Sequence, residues 1–577
     1  MLSGDNSILQ KIGEAKTNSD IADEKEDVQM ATLASASNNE GKMTKSTIQK
    51  ELDASVGEGK TTTKERQGKI LVTFTDSQRK YLIDNGKVSI YSDDADVNFD
   101  TCLRNTSNET GSTDDERLAA PFLGNTTVAR GKIEKVTLTD SISGHTVGDK
   151  CWDVSEQQNG KILAWYEDSD NDGYYEVTIG QDGGIVANQD SSRLFQDIGY
   201  KIDAEINGLN YLDTSNVENM FCMFQACSNV KNLDVSNWDT SSSRNMAYMF
   251  NLGKKLAKVD VSNFDTSNVE NMRCMFKYCA ELANLDVTSW KTGNVTNMRC
   301  MFQLCTNLTE LDVSNWDTSN VTDMGGMFLG KDSSNEKERV YMKIKNLDVS
   351  KWDTSKVTNM DCMFDLCSAL ENLDVSNWNT GKVTNMSFMF PQCYKLTKLD
   401  VSKWDTSSVT NMLAMFQNCT NLTELDVSNW NTGKVTNMSF MFFQCYKLTK
   451  LDVSKWDTSS VTNMISMFQN CTNLTELDVS NWDTSKVTDM SYFLGGAGDK
   501  KIRKLDVSKW DTSSVTNMSY MFCFCSKLSH IYASSKWNTS NVTSSDYMFY
   551  NCTSLPNFNS SKIDKTNAFI GGYLEEK

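Results

Sequence analysis

Three groups of side chains in this 577-residue chain have types and spacings that could do chemistry. The first is Asp168, Asp170 and Asp172, followed by Gly173. Carboxylates at alternate positions before a glycine match the first half of a calcium-binding loop, in which side-chain oxygens converge on one cation. A complete loop of that kind has glutamate at its twelfth position, where this chain has Ile179. We therefore favour an acidic turn between two strands, with a calcium site as the alternative.

The second group is an aspartate that recurs within a Leu-Asp-Val triplet. If the triplets lie side by side, neighbouring carboxylates are about 5 Å apart and repel by roughly 1–3 kcal/mol at intermediate dielectric. That repulsion must be offset by lysines such as Lys450, by hydroxyl groups such as that of Ser428, or by bound cations. We favour a solvated, locally paired face, and the alternative is an acidic, ligand-facing strip for a basic or carbohydrate ligand. The ladder comprises Asp234, Asp260, Asp286, Asp312, Asp348, Asp374, Asp400, Asp426, Asp452, Asp478 and Asp506.

The third group is cysteine, of which the chain has 17. Ten recur at one position, that of Cys445, where a thiol on an apolar stripe acts as a small core side chain. Cys222, Cys274, Cys300 and Cys362 lie five residues earlier, about 140° around a helix, where neighbours cannot readily cross-link. Because the sequence has only two histidines and no Cys-x-x-Cys motif, we expect neither a zinc site nor histidine-based catalysis.

The aspartates of the second group and the cysteines of the third recur because the chain contains a tandem repeat. The triplet or a close variant returns every 26 residues from Leu233 to Ile531, with intervals of 36 after Leu311 and 28 after Leu477. One unit reads L-D-V-S-x-W-D/N-T-S/G-x-V-T-N-M-x-x-M-F-x-x-C-x-x-L-x-x. With a degenerate first copy, thirteen units cover residues 207–556.

The unit that begins at Leu425 shows two periodicities. Apolar and polar residues alternate over 425–428, which predicts a short strand with one buried face. Trp430 is expected in the core, because other copies replace it with phenylalanine or leucine, and a sugar-binding platform is the alternative. Apolar residues at i, i+3, i+4 and i+7 then predict a helix of one or two turns, or a partly irregular segment. They are Met438, Met441, Phe442 and Cys445.

A unit of 26 residues cannot bury both a strand face and a helix stripe alone, so the copies must stack. The expected fold class is an α/β solenoid, a leucine-rich-repeat-like array of about 13 coils with a parallel β-sheet on one face and short helices on the other. A helical stalk and a small β-rich region precede it. The expected segments are a stalk 1–57, a β-hairpin region 58–103, a polar linker 104–117, a β-rich domain 118–206, the solenoid 207–556 and a C-terminal cap 557–577.

The repeat resembles a known family. The run from Leu425 through Asp-Val-Ser-Asn-Trp-Asn-Thr-Gly-Lys-Val-Thr-Asn-Met-Ser-Phe-Met-Phe is similar to the BspA-like leucine-rich-repeat surface proteins of bacteria. The segment Phe122-Leu-Gly-Asn-Thr-Thr-Val-Ala-Arg-Gly-Lys-Ile-Glu-Lys-Val resembles the region before the repeats in that family. The resemblance implies a surface-displayed protein for adhesion or macromolecular contact, without catalytic activity.

A second resemblance lies near residue 1. The run Leu2-Ser-Gly-Asp-Asn-Ser-Ile-Leu-Gln-Lys-Ile-Gly-Glu-Ala-Lys, with Lys69-Ile-Leu-Val-Thr-Phe-Thr further on, is similar to the region after the hydrophobic helix of type IV pilin-like Gram-positive proteins. That likeness implies attachment to membrane or pilus through an apolar N-terminal helix. The helix is absent from this sequence, so we expect a trimmed or truncated chain.

Composition and the absence of certain motifs disfavour some classes of function. The chain has 57 basic and 76 acidic residues, a net charge of −19, which disfavours nucleic acid as a partner. No phosphate-binding loop or nucleophile–base pair is recognisable, so we expect no enzyme and no cofactor besides the calcium alternative. The leading expectation is a cell-surface adhesion protein that binds a protein or glycan ligand. The alternative is a structural pilus subunit in which the array is a spacer.

Overall fold

The chain divides into two units. The computed structural model describes residues 24, 27–32, 34–35, 44–66, 69–76, 80–84, 87–90, 101–109, 111–333, 335–498 and 500–577. The pilin-like run that begins at Leu2 lies outside the described residues, and so does Asn85-Gly86, a dipeptide typical of a tight hairpin turn. Unit 1 is Met1–Met220, Leu233–Ser243 and Asn263–Asn268, and unit 2 is Phe221–Asn232, Arg244–Ser262 and Val269–Lys577.

The first part of unit 1 is a helix packed on an antiparallel sheet. Helix α1 begins after Thr44, whose side chain and that of Thr47 form a capping box. Ile48 and Leu52 of the helix are fully buried in one cluster with Val72 of the sheet. The sheet has the strand order β1-β2-β3-β4. The elements are α1 (Lys45–Ser55), β1 (Thr61–Arg66), β2 (Lys69–Phe74), β3 (Lys80–Asp84) and β4 (Lys87–Ile90).

The second part of unit 1 is a five-stranded mixed sheet of order β12-β7-β10-β9-β8, in which β7 runs parallel to β10 and β12. The segment 104–117, expected as a polar linker, contributes the start of a helix and Glu109, which pairs with the buried Arg130 at 3.0 Å. The elements are α2 (Asp114–Ala119), β5 (Pro121–Phe122), β6 (Asn125–Ala129), β7 (Ile133–Thr139), β8 (Cys151–Asp153), β9 (Leu163–Glu167), β10 (Tyr175–Gly180), β11 (Ile185–Val186), β12 (Glu205–Asn207) and β13 (Leu212–Asp213).

The Leu-Asp-Val triplets pair in parallel, but only over short stretches. Strand β16 pairs with β17, and β18 pairs with β19, which pairs with β20, all in parallel. Lys398, Glu424 and Lys450 are joined by single parallel bridges. The remaining strands are β14 (Asn232–Leu233), β15 (Lys258–Val259), β16 (Asn346–Leu347), β17 (Asn372–Leu373), β18 (Lys504–Asp506), β19 (His530–Ala533) and β20 (Glu575–Glu576).

A second, more regular line of pairing runs through the asparagine of the Val-Thr-Asn-Met motif. One parallel bridge joins this position to the same position of the next copy, so the copies are in register. The bridged residues of unit 2 are Asn245, Asn271, Asn297, Asp323, Asn359, Asn385, Asn411, Asn437, Asn463, Asp489, Asn517 and Ser544.

The predicted short helices are wrong. The described residues of 207–556 contain no α-helix. In the segment that follows Asn437, Phe440 and Gln444 have φ of 57° and 58°, a left-handed conformation at every fourth residue that interrupts helical hydrogen bonding. The N–H groups of Met438, Phe440 and Phe442 instead donate to carbonyl groups of the next copy at 2.8–3.2 Å. The expected apolar stripe is still fully buried, because successive turns also place every third or fourth side chain on one side.

Aromatic side chains of successive copies stack in the core. From Trp290 to Trp510, neighbouring tryptophan rings lie 6.1–6.4 Å apart and within 5° of parallel. Each indole N–H finds a carbonyl of the preceding copy, as Trp430 does with Val401 at 3.1 Å. The structure thus places the tryptophans in the core, as expected, and not on a sugar platform.

A buried threonine ladder lies beside the tryptophans. Thr432 is fully buried, and its hydroxyl donates to the carbonyl of Asp457 in the next copy at 2.8 Å. The same bond recurs from copy to copy, for example from Thr292 to Asp317 at 2.8 Å. An Asp-Thr-Ser run is also ordinary turn chemistry, so the sequence alone does not distinguish these threonines from other turn residues.

We expect Thr432→Val to destabilise the array by about 1–3 kcal/mol, because the Asp457 carbonyl loses its buried donor. The matched control is Thr436→Val, since Thr436 is exposed while donating to the Thr410 carbonyl at 3.2 Å. We expect that control to change the unfolding free energy by less than about 0.5 kcal/mol. Urea denaturation of both variants measures the difference, and equal midpoints would contradict the threonine-ladder argument.

Candidate functional site

The aspartate ladder is solvent-exposed, and each of its carboxylates is satisfied by its own turn. Asp400 accepts hydrogen bonds at Oδ1 from the Ser402 N–H at 3.1 Å and the Ser402 hydroxyl at 2.7 Å. The same pair of bonds, with serine or threonine two residues later, recurs from Asp234 to Asp478. Asp506 is partly buried, accepts the Ser508 N–H at 3.0 Å and pairs with Lys577.

These bonds favour the ionised form of several ladder carboxyls. Donation by the serine hydroxyl, and then by the serine N–H, lowers the pKa of five exposed ladder carboxyls, while slight desolvation opposes the shift. They are Asp260, Asp312, Asp348, Asp400 and Asp452. Lysines, hydroxyl groups and bound cations are the three ways to offset the repulsion between neighbouring carboxylates. In each of these five copies the structure uses a hydroxyl group.

In four central copies the residue just before the leucine adds alternating charge to the same face. Lys398, Glu424, Lys450 and Glu476 occupy this position in successive copies, and all four are exposed. Neighbouring strands of a parallel sheet are about 4.8 Å apart, so opposite charges sit beside one another along the array. Such exposed pairs contribute little to stability, but they give the face a repeating charge pattern that a ligand could recognise.

The three carboxylates at 168–172 lie in the turn between β9 and β10. Their closest oxygens are within 4.8 Å of one another. The turn is closed by its own backbone, because Gly173 N–H donates to Asp168 at 3.3 Å and Tyr174 N–H to Asp172 at 2.8 Å. Slight desolvation, and then the charge of the turn, raise the pKa of neighbouring Glu134.

The twelfth position of this candidate calcium loop cannot supply a ligand, because Ile179 is fully buried in β10. The oxygens that point to one place are therefore those of three aspartates, of which Asp170 and Asp172 are exposed. This set is smaller than the six to eight oxygens that calcium prefers. The geometry agrees with the acidic turn and leaves the calcium alternative to measurement.

The recurring cysteine is part of the core. Cys445 is fully buried, and its thiol donates to the carbonyl of Phe416 in the preceding copy at 3.2 Å. Burial raises the pKa of Cys419 and Cys471 to about 12, so these thiols stay protonated and unreactive. The four additional cysteines occupy a left-handed position of the turn segment, where Cys300 and Cys362 are partly exposed.

Neither histidine shares a site with the other, so the described residues give no histidine pair for catalysis. The ring of His145 stacks on Trp165 at 3.7 Å, and His530 Nδ1 bonds the Glu575 carboxylate at 2.8 Å. Among the described residues, no helix combines the length and the apolar character needed to cross a bilayer.

Comparison with known families finds a match that covers the repeats. Five overlapping segments match the family described as "Mycoplasma protein of unknown function, DUF285": 189–285, 279–339, 335–448, 414–501 and 475–571. Together they span residues 189–571, which is well over half of the 577-residue chain. No curated protein matches the chain.

Acid should destabilise the array through the ladder. A folded-state pKa below the ordinary value of about 3.9 stabilises the fold above that pH, and the contribution is lost as the pH falls through the folded-state pKa. In the triple variant Ser350→Ala, Ser402→Ala, Ser454→Ala, the carboxyls of Asp348, Asp400 and Asp452 lose their hydroxyl donors. We expect the Tm of this variant to fall less than the Tm of the parent between pH 7 and pH 3.

The control for this experiment is Ser408→Ala, Ser460→Ala, Ser514→Ala. These three hydroxyls donate to backbone carbonyls at 2.7–2.8 Å and to no carboxylate. The control should keep the parent's full acid sensitivity, whatever it does to the Tm at pH 7. If both triple variants respond to acid alike, the ladder is not the acid-sensitive element.

We expect the turn at 168–172 not to respond to calcium. With three converging carboxylates and a closed backbone, the Tm should change by less than about 1 °C in 1 mM CaCl2, by differential scanning fluorimetry. A rise of several degrees that Asp170→Asn abolishes and Asp182→Asn does not would establish the calcium alternative instead.

Proposed function

We propose a function for the repeats and not for an active site, because the chain belongs to the family described as Mycoplasma protein of unknown function, DUF285. The matches at 189–571 establish this membership. The repeat array is a non-catalytic binding module at the cell surface, where it presents the face of the Leu-Asp-Val triplets to a protein or glycan of a host or matrix. The aspartates from Asp234 to Asp478 on that face are exposed, and this observation carries the proposal.

The proposal includes a finer description of the fold, in which the copies stack as one leucine-rich-repeat-like solenoid of the BspA type. One parallel bridge per copy from Asn245 to Ser544, together with tryptophans stacked at a constant 6.1–6.4 Å, supports it. In such an array the exposed position of each copy is displaced from the last by a nearly fixed step.

The mechanism is the summation of many weak contacts. A single exposed carboxylate or ion pair contributes about 0.2–1 kcal/mol. Once the first copy has bound a repetitive ligand, the contact at the next copy is intramolecular and gains an effective concentration, so affinity rises with the number of copies that engage at once. The buried columns of tryptophan, phenylalanine and threonine hold those copies in register and exclude solvent from the core.

The alternative is a structural subunit of a pilus, with the array as a spacer. It depends on the resemblance of the run that begins at Leu2, which lies outside the described residues, and on an apolar helix before it. On that account the exposed face of the array needs no ligand at all, which separates the two proposals experimentally.

A deletion series tests the leading proposal. Residues 373–476 comprise four complete copies, and their removal joins Asn372 to Leu477 in the same register as in the parent. A panel of immobilised glycans and matrix proteins, with and without calcium, first identifies a bound probe. We then expect the shortened protein to bind that probe at least about tenfold more weakly, as measured by biolayer interferometry.

The control is a protein that keeps all thirteen copies but carries Ser408→Ala, Ser460→Ala and Ser514→Ala, which should bind as the parent does. Unchanged affinity after removal of the four copies would overturn the summed-contact mechanism. The absence of any bound probe on the panel would favour the spacer alternative.

A further inference from the structure

Unit 2 contains a groove near its last copies, on the face that carries the Leu-Asp-Val triplets. Its volume is about 750 Å³, and Leu477 and Tyr532 form part of its wall. This size lies within the roughly 300–1,000 Å³ usual for small-ligand sites, so the groove fits a short oligomer. Its charged lining is five cations, Lys501, Arg503, Lys504, Lys527 and Lys577, and three carboxylates, Glu476, Asp478 and Asp506.

Most of the cations in the groove are available to a ligand. Lys577 pairs with Asp506, but the other four have no acidic partner within 4.0 Å among the described residues. All four side chains are exposed. Two of them flank Ile502, which is buried, so their backbone is fixed while their charged ends face the groove.

The sequence explains why cations accumulate here. In the central copies the position of Lys501 alternates between lysine and asparagine, as in Lys447 and Asn473. At the groove Lys501 and Lys527 occupy this position in consecutive copies. The two-residue insertion before β18 also comes with Arg503, at a position that holds threonine in the four preceding copies.

We propose that this groove binds an acidic glycan, with sulfate or carboxylate groups paired to Lys501, Arg503, Lys504 and Lys527. The inference rests on the proposed function, because it names a ligand class for one end of the ligand-facing array. The overall charge of −19 does not oppose it, since charges more than about 8 Å away are largely screened at physiological ionic strength.

The geometry favours a glycan over an acidic polypeptide. The four cations without an acidic partner lie around the partly exposed ring of Tyr532. That combination suits a ligand whose charges are closely spaced along a ring polymer, with a sugar ring against Tyr532.

The test uses the full chain and a fluorescently labelled heparin hexasaccharide, with binding followed by anisotropy. The variant Lys501→Gln, Arg503→Gln, Lys504→Gln, Lys527→Gln should bind about 30-fold more weakly, as expected for four exposed ion pairs. Parent affinity should fall steeply as NaCl is raised, because bound counterions are released on association.

The matched control is Lys395→Gln, Lys398→Gln, Lys447→Gln, Lys450→Gln. These lysines are exposed, occupy the same two positions in central copies and remove the same charge, but a copy with Asn421 and Glu424 separates them. The control should bind within about twofold of the parent. Circular dichroism of both variants checks that the fold is retained.

Three results would overturn the inference. They are equal weakening in both quadruple variants, no binding of the hexasaccharide by the parent at about 1 mM, and tighter binding of a hexaglutamate peptide, which would make the occupant an acidic polypeptide. None of these bears on the length dependence measured in the deletion series. Conversely, unchanged affinity of a panel probe in that series would reject summed contacts and leave the groove's ligand class standing.

Discussion

The structure depends on the hydrogen bonds that each copy makes to the next one. In the turn segment of the repeat, every second backbone N–H donates to a carbonyl group of the neighbouring copy, as Met438, Phe440 and Phe442 do. A buried amide without a partner is costly, so a copy that shifted by one residue would leave a whole row of amides unsatisfied. The 26-residue interval that most copies share follows from this constraint, and so do the stacked tryptophans and the exposed ladders.

The same constraint separates the residues that the fold requires from those that it leaves free. Trp430 and Thr432 contact the same residue types in the copies before and after. Any change in their size or polarity therefore affects both neighbouring copies. The residues before each leucine contact solvent, and they differ among lysine, glutamate, asparagine and histidine from copy to copy. The copies therefore differ at a position on the face to which we assign binding.

Much of this could be predicted from the sequence. The repeat, its period, the buried tryptophans and the exposure of aspartates such as Asp426 all follow from apolar residues in phase over thirteen copies. The helix could not be predicted correctly, because spacing at i, i+3, i+4 and i+7 is common to a helix and to successive turns. The deciding feature is a left-handed φ at positions such as Phe440 and Gln444, whose residue types give no warning of it. The groove was missed because its lysines lie on different copies.

The long interval after Leu311 shows how the array tolerates irregularity. The insertion leaves the bridge from Asp323 to Asn359 intact, so the register survives ten additional residues. In that copy glycine occupies position 325, and Arg299 reaches across it to form two bonds with Asp361, at 2.8 and 3.1 Å. A Cβ at Gly325 would lie 2.3 Å from the guanidinium of Arg299 and 2.4 Å from the carboxylate of Asp361, so any other residue would displace these two side chains. The pair directly links the copies on either side of the insertion. Bonding between copies therefore continues across the insertion, although the repeat length changes there.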